Sequence, residues 1–137
     1  MIFEEFIKKG KVVIGEKDYG KAKALIKMSE NNWKVAGTIE LTDTTASPVF
    51  SMMYESFREI IEAICLLEGY KVYSHEAFTA YLEKINEEKI AVTFDRCRKL
   101  RNRINYYGRP VSIKVTIEAK KEIFQLCKIL HEKYLKF

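Results

Sequence analysis

The chain reads as an all-α protein, an antiparallel up-and-down bundle of four long helices with a short helix at the N-terminus. Three observations point there. Only two prolines and six glycines interrupt 137 residues, too few for a turn-rich β fold. Apolar residues recur at three- and four-residue steps through most of the chain. Capping and breaking residues fall where those periodic runs start and stop. With 47% apolar and 31% charged residues, the chain has enough to bury for a core without disulfide staples, and disorder is not expected. No repeat, low-complexity tract or long linker divides it, so 1–137 is read as one domain.

The opening 1–11 is expected to form a short helix. The run 11–15, Lys-Val-Val-Ile-Gly, has strand character but no evident pairing partner, and is taken as a connection. A helix is predicted over about 18–38, with Tyr19, Ala22, Ile26, Ser29, Trp33 and Ala36 on one stripe and most lysines off it. The Thr-, Ser- and Asp-rich stretch 41–48 is a loop. The next helix takes Ser47 as N-cap and Pro48 at its first position. Its apolar set, Phe50, Met53, Phe57, Ile60, Ile61, Ile64 and Leu67, widened by Met52, Ala63 and Leu66, marks a central helix, or one buried on two sides by a second subunit. Gly69 is its stop.

Ser74 then caps a helix with His75, Phe78, Leu82 and Ile85 on one face. Residues 86–88 separate it from a helix over about 89–107. Gly108-Arg109-Pro110 ends that helix, because glycine accepts a left-handed turn and proline cannot continue the ladder. The last helix runs from 112 or 116 to 135 on a stripe of Val115, Ala119, Ile123, Leu126, Leu130 and Tyr134.

The helix over 89–107 departs from plain bundle logic. Ile90, Phe94, Cys97 and Ile104 form its apolar face, and at 100° per residue Arg101 falls inside it. A guanidinium cannot shed its charge, so that placement is costly unless it is paired or faces an anion. Arg98 and Asn105 flank Arg101, and Asn102 and Tyr106 stand four residues apart. Arg98, Arg101, Asn102, Asn105 and Tyr106 thus make one expected patch, with Arg96, Lys99, Arg103 and Arg109 around it. Arginine's planar fork suits phosphate oxygens, and Asn and Tyr suit sugars and bases. The opposing reading is structural: Arg101 pairs with Glu55, Glu59 or Glu62, and Tyr106 packs. Periodicity by itself tips toward the structural reading, since a basic helix is more often a solvated face.

The run 94–108, FDRCRKLRNRINYYG, resembles the signature helix of the HEPN (higher eukaryotes and prokaryotes nucleotide-binding) family, in which an Arg and a polar residue precede a His by a short spacer. The resemblance extends over about 17–137, with the usual order of helices. It implies a helical bundle that dimerises around a shared cleft. It also implies either metal-independent ribonuclease activity, as in toxins, or RNA or nucleotide binding beside a partner minimal nucleotidyltransferase. Carried over, Arg101 stabilises the phosphate and Asn102 orients the site. The His position is Tyr106, and here the chain departs from the pattern. Imidazole titrates near neutrality, whereas a phenol is a poor general base there. The expected catalytic set is therefore Arg101, Asn102 and Tyr106. The expected binding set is Arg98, Arg101, Asn102, Asn105, Tyr106 and Arg109.

The departure moves the expectation from ribonuclease toward a non-catalytic RNA- or nucleotide-binding partner of a nucleotidyltransferase. A dimeric scaffold is the remaining alternative. In some family members a tyrosine just beyond the His is modified; the equivalent position here is Gly108, one beyond Tyr107.

His75 is available to supply an imidazole, although Phe78 and Leu82 beside it suggest a packed or capping role. His131 is expected to be solvated. Cys65, Cys97 and Cys127 read as core fillers, Cys97 being the only candidate for an activated thiol. No His or Cys pair has metal spacing, and no Gly-rich phosphate loop is present, so neither metal nor cofactor is expected. The net charge of +5 permits a polyanionic partner without requiring one. Acidic residues in the first five positions and an odd cysteine count fit a cytoplasmic protein. The most apolar stretch, 60–67, is too short to span a bilayer.

Overall fold

A computed structural model describes residues 1–136. Among them the chain forms six helices and one two-stranded sheet: α1 (Phe3–Lys8), β1 (Val12–Ile14), α2 (Tyr19–Gly37), α3 (Ala46–Leu67), β2 (Tyr70–Val72), α4 (His75–Lys84), α5 (Glu88–Tyr107) and α6 (Ile113–Tyr134). The protein is mostly helical, as its periodicity predicts.

The strand-like run after α1 does find a partner. Val12, Val13 and Ile14 pair antiparallel with Val72, Lys71 and Tyr70. This corrects the reading of 11–15 as a mere connection. The partner was hidden because Tyr70–Val72 lies far away in sequence and is only three residues long. Gly69 is what makes the junction fit. Its φ of +84° ends α3, and a Cβ there would stand 2.5 Å from the Gly15 carbonyl oxygen. The Gly15 N–H donates to the Gly69 carbonyl at 2.7 Å, closing the pair.

The buried residues form one contiguous cluster, with α3 at its centre. α3 packs against α2, α6, α5, α4 and β2 of its own chain. Phe50, Tyr54, Phe57, Ile61 and Ile64 lie at its core, where each buried side chain of this size contributes about 1.5–3 kcal/mol. Of the two explanations for so apolar a helix, the central one describes it without a second subunit. One polar stripe survives on it: Glu55, Arg58, Glu59 and Glu62, at helical spacing.

Two helix starts are capped by a side chain. Asp18 caps α2, its carboxylate accepting from the Lys21 N–H at 2.9 Å, and Ser112 caps α6 through the Val115 N–H at 3.1 Å. Gly108 is left-handed at the end of α5, with φ +61°. Ser47, however, is not the cap of α3. That helix starts at Ala46, and the Ser47 hydroxyl instead accepts from the Val111 N–H at 3.0 Å. Ser74 occupies the cap position of α4, but its side chain makes no capping bond.

On α2, Ala22, Ser29 and Ala36 are buried as expected, while Tyr19 is exposed. Ser29 and Ser56 lock α2 to α3, with their hydroxyls 2.8 Å apart and each donating to the other's backbone carbonyl. His131, expected in solvent, is half-buried instead. No helix among the described residues is long and apolar enough to cross a membrane.

Candidate functional site: an arginine cluster around Tyr54 and His75

The apolar face of α5 seats Ile90, Phe94 and Cys97 in the core, and Ile104 is half-buried. Arg101 lies on that face, one turn beyond Cys97, with 21% of its side chain exposed. Its guanidinium sits 5.5 Å from the centre of the Tyr54 ring of α3, a cation–π contact. Its nearest carboxylate oxygen, on Glu55, is at 3.7 Å, beyond hydrogen-bond reach. Its hydrogen bond is a long one, to the Asn102 side-chain oxygen at 3.4 Å.

Two neighbouring guanidiniums are held differently. Arg58 donates twice to Glu55, at 2.8 and 3.1 Å, and once more to Glu62. Arg98 donates twice to Asp95, at 2.8 and 3.1 Å. Asp95 also takes Lys99 at 3.0 Å and the Thr79 hydroxyl at 3.1 Å. Burial opposes ionisation of Asp95, but the bonds from Arg98, Lys99 and Thr79 win and hold its carboxyl below its ordinary value. Each of these two arginines is only 14% exposed. Arg58 and Arg98 are each held on a carboxylate, and Arg101 is the loosely held member of the three.

The centre of the cluster is an imidazole. The Tyr54 hydroxyl and His75 Nδ1 stand 2.9 Å apart, joining α3 to the first residue of α4. Tyr54 stacks on Phe94, with ring centres 5.4 Å apart, so α5 fixes the phenol from the other side. Burial, and then the positive charges of Arg58 and Arg101, press the His75 imidazole down to about 4. Burial likewise pushes the Tyr54 hydroxyl well up, so it stays protonated at every physiological pH. His75 is thus neutral in the fold, and Tyr54 is a permanent hydroxyl.

The sequence-predicted patch divides here. Arg98, Arg101 and Asn102 are half-buried, and Arg101 meets α3 through Tyr54 and Glu55. Asn105, Tyr106 and Arg109 stand exposed near the end of α5 and make no side-chain hydrogen bond or ion pair among the described residues. Tyr106 is 71% exposed. The patch thus has a half-buried part and an exposed part along the same helix. Of the structural partners considered for Arg101, Glu59 is taken by Asn32 at 2.7 Å and Glu62 by Arg58, leaving Glu55.

Sequence reasoning missed Arg58 and Tyr54 and undervalued His75. The polar stripe on α3 was a signal for Arg58, since four charged residues at helical spacing in an apolar helix must face something polar. Cys97 is a core filler, as expected. It is buried, and burial raises its thiol to about 12, the opposite of activation.

Two hollows lie nearby in the fold. One, of about 380 Å³ between α4 and α5, is lined by Thr79, Asp95, Arg96 and Lys99 and reaches the Asp95 edge of the cluster. The other, about 270 Å³, lies among α2, α3 and α6, where Trp33 stacks on the exposed Phe124. Its walls are largely apolar. No group of three or more His, Cys, Asp or Glu suited to a metal ion occurs among the described residues.

No protein-family model, curated protein or solved structure matches this chain.

Proposed function

We propose that the chain is a HEPN-like protein that binds RNA or a nucleotide through phosphate contacts centred on Arg101. The observation that carries this reading is the contrast among the three arginines. Arg58 and Arg98 each grip a carboxylate at 2.8–3.1 Å, whereas Arg101 keeps 3.7 Å from Glu55 and remains partly open to solvent. A partly buried guanidinium with uncommitted donors gains most from an anion that completes its fork. The same reading includes the finer arrangement of the long helices as an antiparallel up-and-down bundle. It also includes a homodimer and a nucleotidyltransferase as protein partner. Because α3 is covered within its own chain, a second copy would meet α5, where Tyr106 and Tyr107 are exposed. In that arrangement Asn105, Tyr106 and Arg109 extend the binding surface.

Ribonuclease activity is the second reading, and one observation favours it. His75 places an imidazole beside Tyr54 and among the arginines, where Tyr106 brings none.

Binding of a labelled single-stranded RNA, measured at several salt concentrations, tests the proposal. Arg101→Ala should weaken binding about tenfold and reduce the salt slope by about one. Unchanged binding by a folded variant would refute it. The same RNA incubated in chelator tests the second reading: cleavage lost in both Arg101→Ala and His75→Gln would establish a metal-independent nuclease.

A further inference from the structure

We propose that the channel between α2 and α6 is a docking groove for an acidic amphipathic helix of a partner protein. It is a separate surface from Arg101, which lies on α5. α2 and α6 both pack on α3 while their backbones stay apart. Two adjoining hollows, of about 270 and 20 Å³, lie in this space, and Trp33 lines both. Ser56 and Ile60 of α3 floor the larger, and Phe124 and Cys127 form its α6 wall. From Lys120 to His131 that wall rises roughly 16 Å, three helical turns, which suits a helix with apolar anchors at i, i+3, i+4 and i+7.

The groove invites apolar side chains. Phe124 is 55% exposed although its ring stacks on Trp33, with centres 5.8 Å apart. A side chain laid against it removes apolar surface from water. The floor offers little to a nucleic acid. The Ser29 and Ser56 hydroxyls are spent on each other and on backbone carbonyls, so a base edge finds no free partner there. Glu30 on the α2 wall would repel a phosphate.

The rims set the sign of the partner. α2 carries four lysines and one glutamate, and α6 carries five lysines and three glutamates. Glu30 is matched by Lys27 at 3.8 Å, and Glu118 and Glu122 line the hollow facing α5. Glu132 is left to set against Lys34, Lys120, Lys121 and Lys128, which make no side-chain hydrogen bond or ion pair among the described residues. Lys120 and Lys128 line the hollows themselves. A second copy seated symmetrically here would bring these lysines against one another. Glutamates flanking apolar anchors fit both the hollows and the rims.

Trp33 is the single tryptophan of the chain, so its emission reports on the groove. The probes are tryptophan-free peptides of about 16 residues, ~24 Å as a helix. One has leucines at i, i+3, i+4 and i+7 flanked by glutamates. A second has lysines in place of the glutamates, and a third scrambles the acidic sequence. The acidic helix should bind the whole chain with micromolar affinity, shift Trp33 emission and weaken with salt. Phe124→Ser should weaken it about tenfold. The double change Lys120→Glu and Lys128→Glu should do the same and should transfer binding to the lysine peptide. These two lysines are exposed, so the charge swap carries the test if Phe124→Ser fails to fold.

Equal binding of the scrambled or lysine peptide by the unaltered chain overturns the proposal, as does an acidic helix that leaves Trp33 emission unmoved. Single-stranded RNA that shifts Trp33 emission and displaces the peptide would make the groove a nucleic-acid surface instead. A dimer dissociated by Phe124→Ser would make it a contact between copies. Either result also overturns the proposal.

Discussion

The Tyr54 hydroxyl and the His75 imidazole meet at 2.9 Å, and this contact joins the most buried helix of the protein to a helix that sequence reading treated as packing material. Tyr54 is enclosed by Phe94, His75 and Arg101. The phenol thus serves as floor for one side chain and hydrogen-bond partner for another.

The neutral state of His75 makes stability depend on pH. Its folded value, about 4, lies below the ordinary 6.5, so folding favours the unprotonated ring. That contribution is fully present above about pH 6.5 and is lost as pH falls toward 4, because the unfolded chain binds the proton first. The wild type should lose about 1–2 kcal/mol more than His75→Gln between pH 7.5 and 4.5, after allowance for partial exposure of the ring. Denaturant titrations of both proteins at the two pH values check this, and the difference cancels other titrating groups such as Glu59 and Asp95. Parallel losses would exclude the mechanism.

Glu55 distinguishes a binding arginine from a structural one. Its carboxylate holds Arg58 and lies 3.7 Å from Arg101, where it repels an incoming anion. Glu55→Gln should tighten RNA or sulfate binding three- to tenfold while costing about 1–2 kcal/mol of stability through Arg58. Weaker binding would mean that Glu55 positions Arg101 rather than competing for it.

The two left-handed glycines that end α3 and α5 should respond differently to alanine. At Gly69 the added Cβ would meet the Gly15 carbonyl oxygen at 2.5 Å, and the β1–β2 junction has to move. At Gly108 nothing lies within 4 Å. Gly69→Ala is expected to cost about 3 kcal/mol or more and Gly108→Ala about 1 kcal/mol. Thermal melts rank the two; equal losses would show that backbone strain alone matters.

Cys97 should resist modification in the native state despite its arginine neighbours. Burial holds its thiol near 12. An aromatic disulfide reagent at pH 8 should react with it only as fast as the protein opens, and denaturant should release it. Rapid native-state labelling of Cys97 would contradict its placement in the core.

Much of the local structure was legible in the residues. Periodicity placed helix starts near Asp18 and near Ser112 or Thr116, and the structure adds that Asp18 and Ser112 cap them, a short side-chain oxygen satisfying N–H groups that the helix cannot. Gly69 and Gly108 announced ends because only glycine accepts their φ cheaply. Arg101 stood out because a cation in an apolar stripe needs a reason. The pairing of Val12–Ile14 with Tyr70–Val72 was not legible, since three residues carry no periodicity and the partner lies a long way along the chain. Ser47 misled because its hydroxyl was claimed by Val111, a tertiary neighbour.

The sequence by itself determined the helical class, the position of the central helix and the presence of one conspicuous arginine, since spacing and side-chain size act over a few residues. Only the tertiary structure decided which charges neutralise one another. It gave Arg58 and Arg98 to carboxylates, kept Arg101 at a distance from Glu55, set His75 beside Tyr54 and left Tyr106 in solvent. The physical reason is reach: an ion pair or hydrogen bond is settled within about 3–4 Å, and which groups come that close depends on how α3, α4 and α5 dock.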